Sequence, residues 1–155
     1  MSDSLRRLIV ALARASACCD DEPPPAPPAE SLLPADYQQS YPVVRSCRNS
    51  IDHDLRFIVI RALAGTEQQY ETGPFPRPVG TILIKEEFSD RGCTDLVGWT
   101  LMRKEPSGYD ATYGDWRWQR LDAARKVTED GHLVRCASCH SFPDCKPRDF
   151  ACAEP

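Results

Sequence analysis

Apolar and polar positions alternate clearly in four stretches of the chain. Leu55-Arg56-Phe57-Ile58-Val59-Ile60 is a β-branched and aromatic run and predicts a strand. Thr81-Ile82-Leu83-Ile84-Lys85-Glu86, Leu96–Lys104 and Trp116–Leu121 predict three more, the last introduced by Gly114-Asp115. Leu33–Tyr41 predicts a short helix stopped by Pro42, and Ala62–Tyr70 has weak helical character that ends at Gly73. From Gly73 to Pro78 the chain is a turn-rich connector. Helical periodicity is otherwise poor, so the expected class is α+β, an antiparallel sheet with a few short helices. Alternation puts Arg56, Ile58 and Ile60 on one strand face, and Thr81, Leu83 and Lys85 on another. A charged residue in such a row either snorkels at the rim or points into a pocket.

The two ends differ from this middle. Residues 1–22 resemble a bacterial export leader: Arg6 and Arg7 in front, an apolar stretch over Leu8–Ala13, then Ala15-Ser16-Ala17 before Cys18. Cys18 stands where a lipoprotein carries its acylated cysteine, although Arg14 interrupts the apolar part and Ala15 replaces the more usual leucine. Six of the fourteen prolines fall between Pro23 and Pro34, and residues 23–32 read as an extended, polyproline-like linker. The folded part is then 33–155, one domain. The expected location is the periplasm, either free or held at the membrane through a lipid on Cys18. A net charge of -4 argues against a nucleic-acid partner, which needs a basic surface. No apolar run approaches the roughly 18 residues of a spanning helix.

Eight cysteines in 155 residues need a chemical reason. Cys136-Ala137-Ser138-Cys139-His140 supplies one, because Cys-x-x-Cys-His is the attachment sequence of haem c. Thiols three positions apart can add to two vinyl groups on one haem edge, and the adjacent imidazole then reaches the iron as proximal ligand. His140 is accordingly the expected metal ligand. Structural zinc on Cys136, Cys139, Cys145 and Cys152 competes, although six residues separate the second pair, wider than in a zinc knuckle. A redox Cys-x-x-Cys is a third reading, but no βαβ pattern surrounds it.

Cys47, Cys93, Cys145 and Cys152 are even in number and allow three disulfide pairings. Cys145–Cys152 would close a small loop beyond the haem-binding segment, which leaves Cys47–Cys93 to tie two strand-flanking loops. His53 and His132 are the other histidines, and His132, close to Cys136, reads as an exposed loop residue. Met102 reads first as a core residue and second as a sixth iron ligand. Trp99, Trp116 and Trp118 read as core or haem-packing residues.

Taken together, Leu55–Ile60, Gly73-Pro74-Phe75-Pro76, Gly80-Thr81-Ile82-Leu83-Ile84-Lys85-Glu86, Gly114-Asp115-Trp116 and Cys136–His140 make the chain resemble the cytochrome P-460 family from about Tyr37 to Phe150. The resemblance implies a five-stranded antiparallel sheet with helices, one haem c, and an iron with an open distal side. It implies Lys85 as the lysine cross-linked to haem and Arg56 as the distal cation. The chain has only four lysines, which gives the match at Lys85 weight. The implied chemistry is binding or oxidation of hydroxylamine or nitric oxide, with electrons passed to a periplasmic acceptor. Thr100 falls where the family has a distal glutamate, and a hydroxyl is no general base at neutral pH. Asp95 and Glu105 are the nearest substitutes. The sister group, cytochrome c′-beta, implies a gas-binding protein without turnover, and an electron carrier is the remaining alternative. Both monomer and homodimer stay open.

Overall fold

The structure, a computed structural model, describes residues 27–50 and 53–152. The leader (1–22) lies outside the described residues, as do the first four residues of the linker. Six strands form one sheet in chain order: β1 (Val43–Ser50), β2 (Arg56–Ala62), β3 (Ile82–Phe88), β4 (Leu96–Lys104), β5 (Trp116–Asp122) and β6 (Val127–Gly131). Every neighbouring pair is antiparallel. Three short helices accompany them: α1 (Tyr37–Ser40), α2 (Glu67–Thr72) and α3 (Val134–Cys139). The fold is therefore α+β, with six strands among the described residues rather than five. No described helix is long and apolar enough to cross a membrane.

The two strands absent from the sequence reading, β1 and β6, are the sheet's edges. Their sequences, Val-Val-Arg-Ser-Cys-Arg-Asn-Ser and Val-Thr-Glu-Asp-Gly, are polar, and most of their residues are exposed or half-buried. Charged edges discourage pairing with other chains, and the same choice removes the hydrophobic alternation by which a strand is recognised. Central strands are buried on both faces. Ile58, Ile60, Leu83, Met102, Trp116 and Trp118 pack on one side with Tyr70, Ala137 and Ala151. Ile84, Trp99, Leu101 and Leu121 pack on the other with Leu32, Leu33, Tyr37 and Tyr41.

Segments from the two chain ends cover these faces. On the second face Gln119, fully buried, accepts the Leu32 amide at 2.7 Å and donates to the Glu30 carbonyl at 2.8 Å. The end of the expected linker thus belongs to the folded unit. Tyr37 donates to Glu86 at 2.7 Å, and Arg61 pairs with the other oxygen of that carboxylate at 2.8 Å. The first face is covered by the segment from α3 to Cys152. Its anchor is Asp149, whose carboxylate accepts Lys104 Nζ at 2.7 Å and the Arg77 amide at 2.8 Å. The Asp149 carbonyl also accepts the Trp116 indole N–H at 2.9 Å. Gly114 makes the approach possible, because a Cβ there would come within 2.4 Å of the Phe150 ring.

Two disulfides are present, Cys145–Cys152 and Cys47–Cys93. Cys47 lies within β1, not in a loop, so that bridge ties an edge strand to the β3–β4 turn.

Candidate functional site

Antiparallel register builds the site by aligning one row of side chains across the sheet. Arg45, Ile60, Lys85, Thr100, Arg120 and Glu129 are successive cross-strand partners from β1 to β6. Leu83, Met102 and Trp118 form the next apolar row, on the face covered by α3. Where the two rows meet α3, a cavity partly open to solvent is lined by Thr100, Arg120, Cys136, Cys139, His140 and His53. Lys85, Met102 and Trp118 line an adjoining cavity that shares Thr100 and His140.

Cys136 and Cys139 lie in α3, and His140 caps its C-terminal end. All four other described cysteines are consumed in disulfides, while these two thiols are free. Pairing of Cys145 with Cys152 takes two ligands from the four-thiolate zinc reading. Burial pushes the Cys136 thiol's pKa up, so it stays protonated, while Cys139 is exposed. His140 is 8% exposed and packs against Trp118 with ring centroids 4.6 Å apart. Its Nδ1 donates to the Phe150 carbonyl at 2.6 Å, which fixes the tautomer and leaves the lone pair on Nε2. A backbone carbonyl behind an imidazole is the arrangement that orients a metal-ligating histidine.

Burial and the nearby Lys85 ammonium push His140 down to about 4. His53 is pushed down to about 3 by burial and by the charges of Lys85, His140 and Arg120. Both rings are therefore neutral at pH 7. Unfolded, each regains an ordinary value near 6.5, so the unfolded chain binds more protons than the folded one below that pH. The stability this contributes is complete above about pH 6.5 and is lost as pH falls toward the folded values. Before any cofactor is attached, the urea midpoint should drop between pH 6.5 and 4.5. Each histidine contributes a slope of up to about 1.4 kcal/mol per pH unit. A His53→Gln variant whose slope matches the parent's would contradict this.

Lys85 Nζ donates to His53 Nε2 at 2.5 Å. Thr100, on the neighbouring strand, donates its hydroxyl to Glu87, and Arg120 lies 3.7 Å from the same carboxylate. His53 Nδ1 is 3.8 Å from Glu87 as well. Of the residues expected from the sequence, Lys85, Thr100, Cys136, Cys139 and His140 thus converge. Arg56 does not line either cavity. It sits four residues from Ile60, the β2 member of the row, and about 13 Å along a strand at 3.3 Å per residue. It lines a neighbouring depression with Glu87, Gly98, Asp122 and Arg120, the last of which also lines the cavity. Arg120 is the guanidinium in the cavity wall. Asp95 is held by Ser89 in the β3–β4 turn and Glu105 pairs with Arg103 at 2.6 Å, and neither lines the cavity. Glu87 stands behind Thr100.

His53, Glu87 and Arg120 were not singled out for the site by sequence reasoning. Glu87 was findable: it has the parity of Lys85 once the strand is continued to Phe88. His132 is exposed and stacks on Tyr109 at 4.2 Å, as its loop position suggested. Met102 is buried in the core and faces the His140 side.

The fold and site define an α+β domain with a single antiparallel sheet, whose last helix sets two free thiols and a histidine over a cavity. No protein-family model matches the chain, and no curated protein does either.

Proposed function

We propose that this chain is an exported mono-haem c-type cytochrome that handles small nitrogenous ligands, hydroxylamine or nitric oxide, as the cytochrome P-460 resemblance implies. The observation that carries the reading is the sparing of two thiols. Among the described cysteines only Cys136 and Cys139 are unpaired, and they share a cavity wall with an imidazole whose Nε2 is available. Two further features fit a flat, largely apolar group there. The Trp118 indole N–H is buried with no partner among the described residues, a cost of about 1–3 kcal/mol that a bound acceptor would remove. Leu83, Met102 and Trp118 also offer apolar surface beside His140.

In this reading Cys136 and Cys139 would hold the haem through thioether bonds and His140 Nε2 would hold its iron. When bound, the haem supplies a one-electron centre and a coordination position for a small molecule. The surrounding side chains set what that molecule meets. Arg120 and Lys85 bring positive charge to the cavity and favour a ligand with a negatively polarised oxygen. Thr100 Oγ can donate or accept at the cavity wall, and Glu87 behind it gives a proton a carboxylate to move to. Lys85 is the residue for a covalent lysine–haem link. Electrons would leave to a periplasmic acceptor.

Purification from a host with haem c maturation tests this directly. The expected product is coloured after acid–acetone extraction and carries the mass of one haem in denaturing mass spectrometry. A colourless chain with Cys136 joined to Cys139 would refute it. Turnover of hydroxylamine with a chemical oxidant, above that of free haem, separates the enzyme from a gas-binding or electron-carrying cytochrome.

A further inference from the structure

His53 is a buried imidazole in the cavity wall, and the attachment motif gives it no task. Its ring centroid is 6.3 Å from that of His140, with the planes at 79°. The cavity that both rings line also holds the two free thiols, so a group bonded to Cys136 and Cys139 and held by His140 must meet His53. Imidazole nitrogens sit about 2.0–2.1 Å from a bound metal, so two of them on opposite sides of one ion place their ring centroids roughly 6–7 Å apart. The observed separation already has that value.

We infer that His53 is the second axial ligand of the iron and closes the position opposite His140. A small molecule then binds by displacing an imidazole rather than by entering a vacant site. The inference rests on haem attachment at Cys136 and Cys139, and it changes how that site is reached.

Two observations support it. First, both imidazoles already share a cation. Lys85 Nζ donates to His53 Nε2, and Lys85 lines a cavity with His140. His53 therefore turns a lone pair toward a positive centre, which a metal can replace. Second, His53 opens the tight turn that leads into β2, with the Arg56 N–H donating to the His53 carbonyl at 2.9 Å and Asp54 and Leu55 between them at φ of +54° and +58°. The hairpin that pairs β1 with β2 therefore holds His53 at a fixed place in the cavity wall.

Ferric spin state of the full chain, loaded with haem, is the test. The parent is expected to be low-spin by electron paramagnetic resonance. His53→Ala should lose that signal and become high-spin, and added imidazole should restore it, which a merely structural effect would not allow. Met102→Ala should keep the low-spin signal. Carbon monoxide binding to the ferrous parent should reach a rate plateau set by imidazole release, and His53→Ala should bind about tenfold faster or more, without a plateau. A low-spin signal that persists in His53→Ala, or disappears in Met102→Ala, overturns the assignment. Should His53→Ala fail to accumulate, near-infrared magnetic circular dichroism of the parent decides by the presence or absence of the band of two nitrogenous ligands. A high-spin parent loaded with haem overturns only the role of His53, whereas a chain with no thioether-bound haem overturns the haem reading and this inference with it.

Discussion

Changing Cys136→Ser together with Cys139→Ser is expected to abolish covalent haem, from one per chain to none, in a host that loads the parent. A serine hydroxyl does not add across a vinyl group under conditions where a thiol does, so the loss should be complete rather than graded. Either single variant should keep one thioether and a shifted spectrum. Folding should survive the double change. Cys139 is exposed, Cys136 is only half-buried, and both disulfides and the Asp149 anchor lie outside the substitution. The haem-free unfolding free energy in urea should therefore change by no more than about 0.5 kcal/mol, the usual range for exposed sites. Denatured intact mass reads the first effect and equilibrium unfolding the second. Unchanged covalent haem in the double variant would rule out these sulfurs as the attachment points.

Asp149→Ala should give the largest loss of stability. The Lys104 and Asp149 side chains are 8% and 5% exposed, so the pair is almost dry. Truncation leaves a buried ammonium with only the Gly114 carbonyl, at 2.6 Å, and strands the Arg77 amide. Breaking a buried pair from one side costs about 3–5 kcal/mol, much of the roughly 5–15 kcal/mol that holds a typical domain. Lys104→Met combined with Asp149→Leu should recover most of it, because no lone charge remains. A loss below about 1 kcal/mol in urea unfolding would show that the ammonium finds water or another partner. Asp149 is also next to Phe150, whose carbonyl fixes His140, so the imidazole should lose its orientation in the same variant.

Much of this arrangement was readable from residue types alone. The four inner strands announce themselves through β-branched and aromatic runs, and Leu96–Lys104 has the same bounds in the structure. Pairing of the four lone cysteines stayed open among three arrangements; the one found is that which closes the short Cys145–Cys152 loop and leaves Cys47 to Cys93. The edge strands were illegible because solvent-facing edges are selected for charge instead of alternation. Arg120 was not singled out because register is a relation between strands. Nothing within Leu55–Ile60 reveals that Ile60, not Arg56, stands level with Lys85. His53 left even less trace, since its position depends on two left-handed residues that are not glycine.

The anchor at Asp149 makes the segment from Cys136 to Cys152 a lid over two buried tryptophans, not an appendage. All six strands have been made before Cys136 is reached in the chain, yet Lys104, Trp116 and Trp118 have no proper cover until the tail docks. Closing the tail and completing the interior are consequently one event. Whatever grips the tail's thiols and imidazole also clamps the sheet beneath, by the mass-action coupling of ligation to folding, so loading the site should double as a maturation checkpoint for the entire protein.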